Sequence, residues 1–168
     1  RRYRVGLHPS WASGDDEGLL SREAGRLSEL ADGRPVRHSR QHYLRFKLPG
    51  TYRALIRIGI THDHSMGYGA VNGFRASTCT SFRWYDLGEE RATELRVHPF
   101  CFMDATAHHE LGMDPGKALS SLLGYLDVVR QVCGVMETVF HNGMLGTHRM
   151  YRGWSEAYAA FLHEAARR

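Results

Sequence analysis

The chain has only three cysteines, Cys79, Cys101 and Cys133, and no two of them form a CxxC pair. That excludes a zinc ribbon and a thioredoxin-type motif, and three unpaired thiols favour a reducing, cytoplasmic setting. Nowhere do eighteen apolar residues run together, so no membrane-spanning helix is expected. Lysine is nearly missing, with Lys47 and Lys117 the only two, so the formal charge of +4 and the pI near 9.2 come from arginine. Those arginines are scattered, and Asp15-Asp16-Glu17 and Glu89-Glu90 interrupt them. A nucleic-acid binder gathers its cations on one stripe, so no nucleic-acid partner is expected. Repeats and low-complexity tracts are also absent.

What is present is an ordinary globular composition, 42% hydrophobic and 24% charged, in a length that fits one domain over residues 1–168. Residues 3–8 read as a buried strand. A helix then starts at Asp15-Asp16-Glu17, carries Leu19, Leu20, Ala24, Leu27, Leu30 and Ala31 at helical spacing, and stops at Gly33. A short strand follows over 35–39. Pro49-Gly50-Thr51 launches a second helix that closes at Gly59, and a third strand covers 60–62. This alternation implies a parallel sheet.

The stretch from His64 to Cys79 is a long Gly/Ser/Thr-rich loop, a kind often tied to function. Residues 82–86 and 94–100 alternate as a hairpin or as neighbouring strands. Asp114-Pro115 caps and opens a helix over 115–132 with an apolar stripe at Ala118, Leu122, Leu123, Leu126, Val129 and Val132. A last strand spans 135–140, and an amphipathic helix over 154–166 closes the chain. The expected class is α/β, an incomplete, distorted β/α barrel rather than a symmetric open sheet. Because the first strand begins within three residues of the start, the chain reads as the later two-thirds of a catalytic domain.

Eleven histidines carry the chemistry, and their placement matters more than their number. His8 and His141 each end a strand, where α/β enzymes gather their active sites. His38 and His42 flank Ser39-Arg40-Gln41, and His62-Asp63-His64 follows another strand. Neutral imidazole ligates divalent metals and moves protons near neutral pH, so several such strand ends facing one cavity would make a metal-assisted hydrolytic site. Arg40 can orient a carboxylate. His42, among Tyr43, Leu44 and Phe46, reads as a hydrogen-bonded core residue or a ligand. Asp104 reads as a helix cap or as the partner that orients a catalytic histidine. His108-His109 reads as surface.

The order of motifs resembles the NodB-homology polysaccharide deacetylases, in particular a bacterial branch with a strand ending in GLHPS (Gly6 to Ser10). SRQHYLRF (Ser39 to Phe46) comes next, followed by Asp63 to Tyr68 with Gly73 to Thr78. His98 to Thr106 and the pair His141-Asn142 complete the order, which covers nearly the whole chain. The resemblance implies a divalent metal, zinc by preference, held by His8 with His42 as the further candidate. It also implies that Arg40 orients the catalytic base, that His141 is the general acid, and that Asp104 supports His141. Two departures stand out: no aspartate pair precedes His8, and Ala12 occupies the place of the family's second metal histidine. The chain alone is therefore expected to be inactive.

The implied reaction is hydrolysis of N- or O-acetyl groups on a glycan, a C–N hydrolase in the N-acetyl case, with Tyr68, Phe74 or Trp11 lining the groove. The alternatives are a degenerate, non-catalytic glycan-binding esterase fold and a different metallohydrolase that uses His62, Asp63 and His64. The first expectation requires His8, Arg40 and His141 to surround one cavity.

Overall fold

The computed structural model describes residues 3–167. The protein is a mixed α/β structure arranged as two compact units. The first runs to Met66 and resumes over Ser81–Pro99; the second comprises Gly67–Thr80 and the chain from Phe100 onward.

In the first unit, α1 (Glu17–Leu30) starts where the Asp16 carboxylate accepts from the backbone N–H of Leu19 at 2.8 Å, and Glu17 sits in its first turn. A side-chain acceptor for an orphan N–H, followed by a negative charge at the positive end of the helix, is why the helix begins here. Gly33, at φ +73°, takes the left-handed conformation that ends it. β1 (His38–Ser39) follows, then α2 (Gly50–Arg57), β2 (His62–Asp63) and the hairpin of β3 (Phe82–Asp86) and β4 (Arg91–Val97).

The sheet order is β1-β2-β4-β3, with β1, β2 and β4 parallel and β3 antiparallel to β4. Leu7 adds a single parallel bridge to Ser39. The expected strand over 3–8 is thus reduced to one residue: Tyr3 to Gly6 are solvent-exposed, and burial, which would have favoured an extended ladder, is missing there. Leu7, Leu20, Ala24, Tyr52, Leu55, Ile60, Leu95 and Val97 form the core of this unit. Full burial of each large aliphatic side chain contributes about 1.5–3 kcal/mol. Arg53 on α2 grips Asp86 through two bonds, from Nε at 2.7 Å and from a terminal nitrogen at 2.8 Å, fastening that helix to the hairpin.

The second unit pairs β5 (Phe102–Met103) with β6 (Thr138–Val139) in parallel, connected through α3 (Pro115–Gln131); α4 (Trp154–Ala165) closes the chain. Asp114 caps α3 by accepting from the Lys117 N–H at 2.9 Å, and Pro115 occupies the first turn. Ala118, Leu122, Leu126 and Val129 of the expected stripe are buried, while Val132 is exposed just past the helix end. Only Thr138 and Val139 of the expected strand over 135–140 pair as strand. His108-His109 lies on a π-type turn, Thr106–Glu110, against Tyr151 and Trp154. Among the described residues the strands form two open sheets, with no closed barrel.

Candidate functional site

The parallel register of the first unit sorts its side chains into two sets, because alternate residues of a strand face opposite ways. Leu7, Ser39, Asp63 and Val97 are cross-strand partners, and all four are buried. His38, His62 and Arg96 are partners one residue earlier and face the other way. The ladder continues past the assigned strands: Arg40 N–H donates to Leu7 O, His64 N–H to Ser39 O and His98 N–H to Asp63 O, at 2.8–2.9 Å. His8, Arg40, His64 and His98 therefore form a second row on the same face as His38 and His62.

On that face four imidazoles assemble. His38 Nδ1 lies 3.0 Å from His64 Nε2, and His62 Nδ1 lies 2.8 Å from His98 Nε2. The two bonded pairs stack, His38 on His62 at 4.4 Å between ring centroids and His64 on His98 at 4.5 Å, both 12° from parallel. Ser81 Oγ lies 2.9 Å from His98 Nδ1. Burial, followed by electrostatic repulsion from His64, Arg4, Arg96 and Arg37, lowers the pKa of His62. That shift favours the neutral ring over the charged one. His64 and His98 bring ligand nitrogens within 4.8 Å of one another and could hold a metal ion together.

The opposite face holds these strand ends in place. The Asp63 carboxylate is fully buried and accepts from Tyr52 Oη at 3.0 Å, from Ser65 N–H at 3.0 Å and from Ser65 Oγ at 2.7 Å. Burial raises its pKa, and the Ser65 and Tyr52 hydrogen bonds pull in the other direction. Ser65 Oγ in turn accepts from Gln41 N–H, and Gln41 Nε2 donates to Ser39 Oγ. A ligand set of His62, Asp63 and His64 is therefore not formed: consecutive strand residues alternate, so Asp63 faces away from its two neighbours.

The rings of His8 and His42 are in contact, with centroids 4.7 Å apart. Both line an open cleft of about 510 Å³ with Ser10, Glu23 and Arg26. His8 Nδ1 bonds the Arg40 carbonyl at 2.8 Å. A carbonyl only accepts, so Nδ1 carries the proton and Nε2 of the neutral ring is the lone-pair nitrogen. Metal-ligating histidines are commonly held this way. The Arg40 guanidinium donates from Nε to the His64 carbonyl at 3.0 Å, spanning the ends of β1 and β2.

His141 and Asp104 belong to the second unit. Asp104 Oδ2 accepts from the His141 backbone N–H at 2.6 Å and Oδ1 lies 2.5 Å from His141 Nδ1. Asp104 Oδ1 also accepts from the Ala105 N–H at 2.7 Å, so the carboxylate meets both the start of the following helical turn and His141. Of the expected residues, His8, Arg40 and His42 thus meet in one unit, and His141 and Asp104 in the other.

His98 and Ser81 escaped the sequence reading as site residues. The available signal was the spacing of His62 and His64, two apart on one face of a strand; which other strands bring partners to that face is a matter of register. No helix among the described residues is long and apolar enough to cross a membrane. No protein family, no curated protein and no solved structure matches the chain.

Proposed function

We propose that the protein acts in metal-dependent deacetylation of a glycan, as part of a distorted β/α barrel of the NodB-homology type. The observation that carries this reading is His8, whose Nδ1–H is held by the Arg40 carbonyl so that Nε2 is left as the ligating nitrogen, beside His42 on an open cleft. The donor chemistry suits a borderline ion, zinc by preference. His8 and His42 supply two imidazoles toward it. When held there, such an ion would supply Lewis-acid activation of water and of the acetyl carbonyl.

The proton of the attacking water would go to a carboxylate base, which the resemblance places in an aspartate pair that does not precede His8 here; the residues of this chain would bind, orient and protonate. Arg40 bridges the two strand ends beside His8 and orients the site. In its protonated form His141 gives the Nε2 proton to the leaving nitrogen as the C–N bond breaks, while Asp104 holds Nδ1–H. Water and an N-acetyl group thus yield a free amine and acetate.

The test is acetate release from N-acetylated oligosaccharides by the zinc-loaded protein in a full-length form that supplies the base, with bound metal measured in parallel. His8→Ala and His42→Ala should lower bound metal and activity together. His141→Ala should keep the metal and lose about 10²–10⁴ in turnover. Full metal binding by His8→Ala, or near-normal turnover by His141→Ala, would overturn the reading. Tight glycan binding without metal or hydrolysis would favour the non-catalytic alternative, which Ala12, in place of a ligand, motivates.

A further inference from the structure

We infer that the face of the first unit's sheet turned away from α1 and α2 binds a glycan bearing carboxylate groups, through a row of basic side chains that crosses all four strands. The inference names a substrate class and rests on the glycan reading given above. Three observations carry it: the register that aligns the row, the shortage of carboxylates paired with it, and a placement that works against stability.

The register sets the row. His38 on β1 is the partner of His62 on β2, His62 that of Arg96 on β4, and Arg96 that of Arg83 on β3. Trp84, Leu95 and Val97, the chain neighbours of the two arginines, belong to the core with Leu20 of α1 and Leu55 of α2. Alternation therefore turns Arg83 and Arg96 to the outer face, where both are exposed. At about 4.8 Å per strand the row is about 14 Å long. Arginines scattered along the chain are thus collected on one surface.

Few acids answer them. Arg83 pairs with Glu94 at 3.3 Å, and both side chains are more than half exposed, at 54% and 79%. Such a surface pair contributes little and gives way readily to a ligand. Arg96 forms no ion pair among the described residues, nor do Arg4 and Arg37. All three lie close enough to His62 to repel its charged form, so the positive field spreads beyond the row itself.

Such a row weakens the fold unless an anion covers it. Like charges directly opposite on neighbouring strands are destabilising, and Arg83 and Arg96 stand directly opposite. A planar carboxylate accepts two parallel bonds from one guanidinium, so uronate-type units match the arginines in charge and in geometry. The next row on the same face, His98, His64, Arg40 and His8, lies about 7 Å further along the strands. A glycan held on Arg83 and Arg96 is thereby continuous with the cleft lined by His8 and His42. A nucleic acid asks for phosphate contacts along a longer basic stripe; this short row, with Arg83 already shared with Glu94, suits an oligosaccharide.

The experiment measures binding to the metal-free protein by calorimetry. Metal uptake and acetate release test the deacetylase reading and do not enter here, so either can fail alone. Tri-galacturonate is compared with the neutral trimer of N-acetylglucosamine at low salt. The uronate trimer should bind about 10-fold tighter or more and lose most of that advantage at about 0.5 M salt. Arg96→Gln should weaken uronate binding about 10-fold and raise Tm at low salt, a gain that a purely structural arginine would not give. Glu94→Gln, which releases Arg83, should tighten binding. Equal affinity for the two trimers, or uronate binding that survives Arg83→Gln combined with Arg96→Gln, would overturn the proposal. Tighter binding of a single-stranded oligonucleotide of equal charge would overturn the choice of a glycan. Should the arginine variants fail to fold, the comparison of trimers and the Glu94→Gln variant decide the matter, and no tightening in Glu94→Gln sinks the row as a binding surface.

Discussion

Asp104 receives two hydrogen bonds from one residue, the backbone N–H and the Nδ1–H of His141, at 2.6 and 2.5 Å. The carboxylate is fully buried while the imidazole it grips is about half exposed. Backbone and ring are held by the same group, so the His141 side chain has its tautomer and its direction set from inside the protein.

Asp104→Asn should therefore separate orientation from presence. An asparagine oxygen can accept from only one side of the former carboxylate, and its amide opposes the second donor. Turnover in the deacetylation proposed above is expected to fall about 10²–10⁴-fold with bound metal unchanged, and the downfield Nδ1–H resonance of His141 should disappear from the proton NMR spectrum. An intact resonance would show that Asp104 does not position the ring.

Gly67→Ala is expected to destabilise by about 1–3 kcal/mol, an overpacking cost. A Cβ at this buried position would stand 2.2 Å from Cζ of Phe100, itself fully buried. Urea unfolding measures the loss. Gly124→Ala, where an added Cβ meets nothing, should instead be neutral or mildly stabilising in its helix.

The Arg53–Asp86 grip sets an acid limit on stability. Hydrogen bonding from Arg53, against a smaller opposing effect of burial, lowers the Asp86 pKa below its ordinary value of 3.8. A carboxylate whose folded pKa is depressed contributes stability above the unfolded pKa and loses it as pH falls through the folded one. Asp86→Asn should lower Tm at pH 7 and flatten its fall below pH 4, so the two Tm curves converge in acid. Parallel curves down to pH 2 would refute the linkage.

Cys101 should be inert while the protein is folded. Burial, with a further push from Cys79, raises its thiol pKa to about 12, and only the thiolate attacks an alkylating reagent. Iodoacetamide at pH 8 should label exposed Cys133 first, with Cys101 modified only under unfolding conditions; peptide mass mapping reads the order.

Much of the helical framework is legible in the sequence because its signals are local. The Asp16 and Asp114 caps, Pro115 in a first turn and the positive-φ glycines at 33 and 59 fix where helices begin and end. The strands are less legible. Tyr3 to Gly6 have strand composition but stay exposed, and Val135 to Glu137 precede a strand only two residues long; pairing partners, not composition, decide both. The site divides in the same way. His8 with His42 and Asp104 with His141 could be nominated from motif order. The approach of His38, His62, His64 and His98 depends on the alignment of three strands from distant segments, which no single stretch encodes.

The alternation along β1 and β2 also guards the fold against mispairing. Sliding one strand by a single position would drive imidazoles into the oily space beneath α1 and α2 and expel the Asp63 carboxylate from its three donors. Both errors are penalised at once, from opposite sides of the sheet. These very short strands can therefore hold one alignment with few backbone bonds, and chemical groups useful at a surface double as the fold's own proofreading.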